Sequence, residues 1–191
     1  LVAHPRAAPH LIDPEKLIAG ATAVYGEEEM QRSYGTLLPV PEARVRVVED
    51  GETVMLAGRA LECIDTPGHA RHHHCIWDAR SAGWFTGDTF GLSYRDTDSA
   101  AGPFVLPTSS PVQFEPAPLR QSIQRLLATQ PRQMYLTHFG TVADVPRLAD
   151  LLLAQVDAMV ALATALRDAP QRHAALKAGL QAQARERLQQ H

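Results

Sequence analysis

The chain has 191 residues, 45% hydrophobic and 20% charged, with a formal net charge of −3. That length suits one domain with a genuine core, and its scattered Lys and Arg form no basic stripe for nucleic acid. No uninterrupted apolar run approaches the ~18 residues that span a bilayer, so neither nucleic acid nor a membrane is an expected partner.

Two cysteines, Cys63 and Cys75, make a poor disulfide framework. Both sit in strand-like runs, where Cys behaves as a small buried hydrophobe; a thiolate role for Cys75, just after three histidines, is the alternative. A reducing, cytoplasmic setting is the expectation. Leu1-Val2-Ala3-His4 reads as the tail of a strand already in progress, which predicts a fragment, a processed form or a trimmed chain, and leaves a targeting segment upstream open.

Asp13-Pro14-Glu15 predicts a helix start: an N-cap acceptor, Pro at the first helical position, then an acid at the positive dipole end. That helix ends at Tyr25 before Gly26, and a second runs over 27–34 before Gly35. Strands at 45–49 and 53–56 flank Asp50-Gly51, a hairpin signal. A strand at 61–64 leads into Thr66-Pro67-Gly68-His69. Runs at 74–77 and 84–86 predict a second hairpin around 78–83. Residues 91–118 are rich in Pro, Ser and Gly and read mostly as loop.

A helix over 118–129 and a strand over 134–137 follow, the strand ending at His138. Asp144 then caps a helix with Leu148, Leu151, Leu152, Val156, Met159 and Leu162 at helical spacing. Pro170 interrupts it. Residues 171–190 carry only a thin stripe of Leu176, Leu180 and Leu188, which predicts a helix that packs weakly, frays or meets a partner subunit. Hairpins followed by helix, strand and helix give an α/β (α+β) layered domain with a mixed sheet and no internal repeat.

Three short stretches carry the chemistry: Thr66-Pro67-Gly68-His69, Thr86-Gly87-Asp88-Thr89 and Leu136-Thr137-His138-Phe139-Gly140. Each puts one metal-competent side chain beside a glycine at the end of a strand-like run. The intervals of 19 and 50 residues between His69, Asp88 and His138 exclude helical neighbours. They converge only if a sheet brings separate strand ends together. Singly, a His before a turn or a Gly-Asp pair is an ordinary surface or turn feature. Together they point to a hydrolytic divalent-metal site, which needs imidazoles and carboxylates about 2 Å from the ion.

These stretches, in this order and spacing, resemble the later motifs of the metallo-β-lactamase-fold hydrolases over roughly residues 1–140. The resemblance implies an αβ/βα sandwich with metals at one edge, residues 1–143 being the C-terminal portion of such a domain and 144–191 a helical extension. It implies that His69 binds one metal and His138 the other, while Asp88 bridges them and orients the nucleophile as the catalytic residue. Two Zn2+ ions are expected per intact site, with Fe or Mn as alternatives. The family's first motif, His-x-His-x-Asp-His, supplies the remaining ligands; it is absent here and expected upstream. Many family members have a histidine four residues after the ligand His, which matches His73 and implies a supporting place near the site. His72 and His74 read as strand residues, His4 and His10 stay ambiguous, and His173 and His191 read as solvated helix residues.

The activity so implied is attack by a metal-activated hydroxide on a small ester, lactone or thioester. Leu17, Tyr25, Met30, Tyr94 and Phe104 are candidates for an apolar substrate wall. Two alternatives stay open: a phosphodiesterase or iron-dependent redox enzyme on the same scaffold, and a non-catalytic half-domain that assembles, as a homodimer, through its C-terminal helices.

Overall fold

The computed structural model describes residues 1–108 and 113–191. Its centre is a six-stranded mixed sheet in the order β3 (Glu52–Leu56), β4 (Arg59–Asp65), β5 (His74–Asp78), β6 (Gly83–Gly87), β7 (Gln133–Leu136) and β8 (Thr141–Val142). All neighbours pair antiparallel except β6 and β7, which run parallel. Antiparallel neighbours reverse direction in turn, so β4, β6 and β7 all point the same way. Their C-terminal ends share one edge of the sheet, and β5 starts there.

One sheet face is covered by α4 (Pro116–Leu127) and α5 (Val145–Ala165). Trp84 and Met134 from the sheet meet Ile123 and Leu126 of α4 and Leu148, Leu152 and Val156 of α5 in one core. The Trp84 indole N–H, buried there, donates to the Leu126 carbonyl and the Thr129 hydroxyl, so its polar tip is satisfied. By length and composition α5 is also apolar enough to cross a bilayer, although no uninterrupted apolar run announces it; it lies instead along the sheet. On the opposite face the register sets Cys63, Ile76, Phe85 and Tyr135 side by side, and Phe85 is exposed. α6 (Arg172–Gln190) buries no residue completely, in line with its thin apolar stripe.

Several expectations need correction. Residues 45–49 do not form a hairpin across Asp50-Gly51. Instead β2 (Arg46–Val47) pairs in parallel with β1 (Val2–Ala3), and Asp50 accepts the Asp65 N–H and binds Arg125. The hairpin lies one strand later, across Ala57-Gly58, with φ of 49° and 77°. Two consecutive positive-φ residues make the two-residue turn that matches strand twist, and Ala57 carries no sequence signal for it.

A short helix, α1 (Ala8–Ile12), precedes α2 (Glu15–Tyr25) and α3 (Glu27–Tyr34). Pro14 rather than Asp13 occupies the N-cap of α2, while the Asp13 carboxylate still accepts the Glu15 N–H. Asp144, at φ 57°, caps α5 without a side-chain hydrogen bond to its backbone. The stretch expected as loop is irregular, with a bridge between Leu92 and Leu106; its residues 109–112 lie outside the described ones.

Candidate metal centre

His69, Asp88 and His138 follow the C-terminal ends of β4, β6 and β7, and the common direction of those strands brings them together. His69 Nε2 lies 3.4 Å from Asp88 Oδ2, and His138 Nε2 lies 3.4 Å from Asp88 Oδ1. One carboxylate thus presents a different oxygen to each imidazole. His69 is nearly buried, whereas the His138 side chain is half exposed. The other ring nitrogen of His69 faces the Thr108 carbonyl at 3.4 Å. Donation of Nδ1–H there leaves the Nε2 lone pair directed at the carboxylate. After His138, Phe139 at φ 71° and Gly140 at φ 100° turn the chain back, so that the Gly140 carbonyl accepts the Leu136 N–H.

Asp88 is positioned by its backbone. Its N–H donates to His73 Nε2 at 3.0 Å, and its carbonyl accepts the Thr108 hydroxyl at 2.8 Å. Because His73 Nε2 accepts, its proton sits on Nδ1, which faces the hydroxyls of Thr89 at 3.0 Å and Thr66 at 3.3 Å. Burial first, and then the charge of neighbouring His69, push the His73 pKa down to about 3, so the ring stays a neutral acceptor. Gly87, at φ 50°, makes room: a Cβ there would lie 2.3 Å from His73 Nε2.

Two features of this arrangement fit a divalent ion. Asp88 Oδ1 is buried without a hydrogen-bond partner among the described residues, a costly state for an acceptor unless something else satisfies it. The 3.4 Å spacing also matches the edge of a tetrahedral site, since two ligand atoms on bonds of ~2.1 Å lie about 3.4 Å apart. No three His, Cys, Asp or Glu side chains among the described residues crowd closely enough to hold an ion unaided. Each ion would draw one imidazole and one carboxylate oxygen from this chain.

No family model matches the chain. It is 28% identical over 142 residues to the metallo-β-lactamase fold-containing protein ST1585 of Sulfurisphaera tokodaii, a match spanning 74% of this chain and 47% of that protein. The crystal structure of ST1585, an archaeal metallo-β-lactamase superfamily protein, superposes with a TM-score of 0.66 over 83% of this chain and 57% of that one. The chain has the metallo-β-lactamase fold. The metallo-β-lactamase family protein TTHA1429 from Thermus thermophilus shares the fold at 22% identity and a TM-score of 0.55, over 97% of this chain and 66% of that one. This metallo-β-lactamase-fold chain thus spans about half the length of its curated relative.

Within this metallo-β-lactamase-fold chain the remaining candidates separate cleanly. His73 meets the site through the Asp88 backbone, whereas His74 begins β5. Cys75 is fully buried and burial pushes its thiol up to about 11; it contacts Thr66 and Thr86, not the metal-competent trio. His4 pairs with Asp65 at 3.1 Å. His191 is not simply solvated, since its ring meets the Gly102 carbonyl and packs on Phe104.

Of the residues expected to wall a substrate cleft, Leu17 and Tyr25 are exposed on α2, Met30 is buried on α3 and Phe104 is core. Only Tyr94 stands near the site, its ring 4.4 Å from that of Phe139. The supporting hydroxyls of Thr66, Thr89 and Thr108 escaped the sequence reading. For Thr66 and Thr89 the signal was present, because both stand inside the ligand stretches.

Proposed function

We propose that the protein is a metal-dependent hydrolase of a small ester, lactone or thioester, and that this chain supplies half of a dinuclear centre. The observation that carries this reading is the Asp88 carboxylate, with one oxygen toward each of two imidazoles and one of those oxygens buried and unsatisfied. His69 and Asp88 Oδ2 would hold one ion, and His138 and Asp88 Oδ1 the other. The remaining ligands would come from outside these residues. Divalent metal bound there supplies Lewis-acid polarisation of the substrate and a water acidified to a pKa of about 7.

This chain's own residues then do the positioning. Neutral His73 and the Thr108 hydroxyl fix the Asp88 backbone from both sides, so the carboxylate keeps the spacing between the two imidazoles. The half-exposed His138 leaves the outer side of the site open to a substrate. No Lys or Arg among the described residues pairs with His69, Asp88 or His138, which favours a carbonyl centre over a phosphodiester, where cationic clamps are the usual device.

A second reading, iron-dependent redox chemistry, is favoured by the donor set, because imidazole and carboxylate ligands suit iron as well as zinc. Elemental analysis of the purified protein separates the two. The hydrolase reading expects two zinc ions per site, ester cleavage lost on chelation and restored by zinc, and loss of both metal and activity in Asp88→Ala. Undiminished turnover in Asp88→Ala would end it.

A further inference from the structure

The groove between α5 and α6 is apolar at one end and cationic at the other. α6 is held on α5 at Gly179, where a Cβ would lie 2.7 Å from Leu162 Cδ2, and by Gln183, whose Nε2–H donates to the Ala158 carbonyl at 3.1 Å. Toward the turn that joins the two helices, a cavity of about 430 Å3 opens between them, with Phe114 and Pro116 also in its wall. That volume lies within the range of ~300–1,000 Å3 typical of small-molecule sites.

On α5 the wall runs through Met159 and Ala163 and reaches Arg167 just past the helix end; on α6 it runs through Arg172, Leu176 and Leu180. Residues four apart share one helix face, so each wall is apolar at the closed end and finishes in a guanidinium at the turn. Among the described residues no carboxylate pairs with Arg167 or Arg172. Unpaired guanidiniums beyond aliphatic walls complement a molecule with an anionic head and an apolar tail. The helical rise from Arg172 to Leu180 is about 12 Å. Spread over that length, the cavity is about 36 Å2 in section, under half the roughly 80 Å2 of a helix ~10 Å across. An alkyl chain fits it and a peptide helix does not.

We propose that this groove binds a single-chain fatty acid anion, at a site separate from the metal centre. The carboxylate lies between Arg167 and Arg172, whose planar forks match its geometry. The chain runs past Leu176 and Ala163 to the closed end at Met159 and Leu180. None of these residues belongs to the metal-competent trio or to the groups that support it, so the binding stands independently of the hydrolase reading above.

The test is calorimetric titration of the metal-chelated protein with decanoate, kept below its micelle-forming concentration. Saturable one-to-one binding is expected, and decyltrimethylammonium, the same chain on a cation, should not bind. Arg167 and Arg172 are both exposed, so the double variant Arg167→Gln/Arg172→Gln should fold normally. It should weaken decanoate about tenfold or more, the worth of a charge-assisted hydrogen bond. Ala163→Trp fills the groove and should weaken decanoate as much; a thermal melt checks that it is folded, and the double variant carries the test if it is not. Absence of saturable binding to the wild-type protein overturns the proposal, as does equal binding by wild type and the double variant. Equal binding of decyltrimethylammonium overturns it too, as does unchanged binding in folded Ala163→Trp. Binding to phosphatidylglycerol vesicles without binding of monomeric decanoate also overturns it, and makes this face a membrane contact instead.

Discussion

Gly87→Ala puts the centre's geometry under the most direct test. The substitution adds one carbon at φ 50°, where an L side chain costs about 1–2 kcal/mol. It also places that carbon 2.3 Å from His73 Nε2. His73 is a partly buried ring held at both nitrogens, so it cannot yield without surrendering the Asp88 N–H it accepts at 3.0 Å. An N–H stranded in this way costs about 1–3 kcal/mol more. The sum predicts roughly 2–5 kcal/mol of lost stability in urea denaturation of the metal-free protein. Gly58→Ala is the control, since Gly58 has φ 77° and nothing within 4 Å of its would-be Cβ; it should lose only the backbone part. Metal titration adds a second readout, with affinity falling about 10–100-fold in Gly87→Ala because the carboxylate proposed to bridge the ions loses its support. Equal stability loss in the two variants, with unchanged metal affinity in Gly87→Ala, would refute the role given to the His73–Asp88 contact.

Thr89→Val removes the hydroxyl that faces His73 Nδ1 at 3.0 Å but keeps the shape of a fully buried side chain. It should cost about 1 kcal/mol of stability and weaken metal about tenfold, measured by the same melts and titrations; no change in either would show the hydroxyl to be incidental. The lowered His73 pKa sets a pH dependence. Below about pH 6.5 the unfolded ring takes up a proton that the folded ring refuses down to about 3. Metal-free stability should therefore be full above that point and fall by about 1.4 kcal/mol per pH unit as acid is added across the window. His73→Gln should lack this component, and superimposable pH profiles would contradict it. Cys63 and Cys75 are both buried, with thiols raised by burial, so iodoacetamide should label neither until the protein unfolds; rapid labelling of native Cys75 would reopen a thiolate role.

Much of the layout is local and was legible in the residues. Glycine and proline punctuation marked the ends of β4 and β6, the β5–β6 hairpin followed from its turn residues, and the spacing of Leu148, Leu152 and Val156 announced the helix that fills the core. The identities of His69, Asp88 and His138 were legible for the same reason: each stands next to a residue that ends a strand. Tertiary structure decided the rest. The hairpin moved from Asp50-Gly51 to Ala57-Gly58 because Asp50 spends its carboxylate on Asp65 and Arg125, both distant in sequence. Likewise, no pattern in the chain says that three strands point the same way. Strand direction is fixed by which neighbours pair, a choice made by burying Trp84 and Met134 under α4 and α5. That choice sets one carboxylate between two imidazoles. Residue types and local breaks are properties of short windows, whereas the meeting of side chains 19 and 50 residues apart depends on packing the whole sheet.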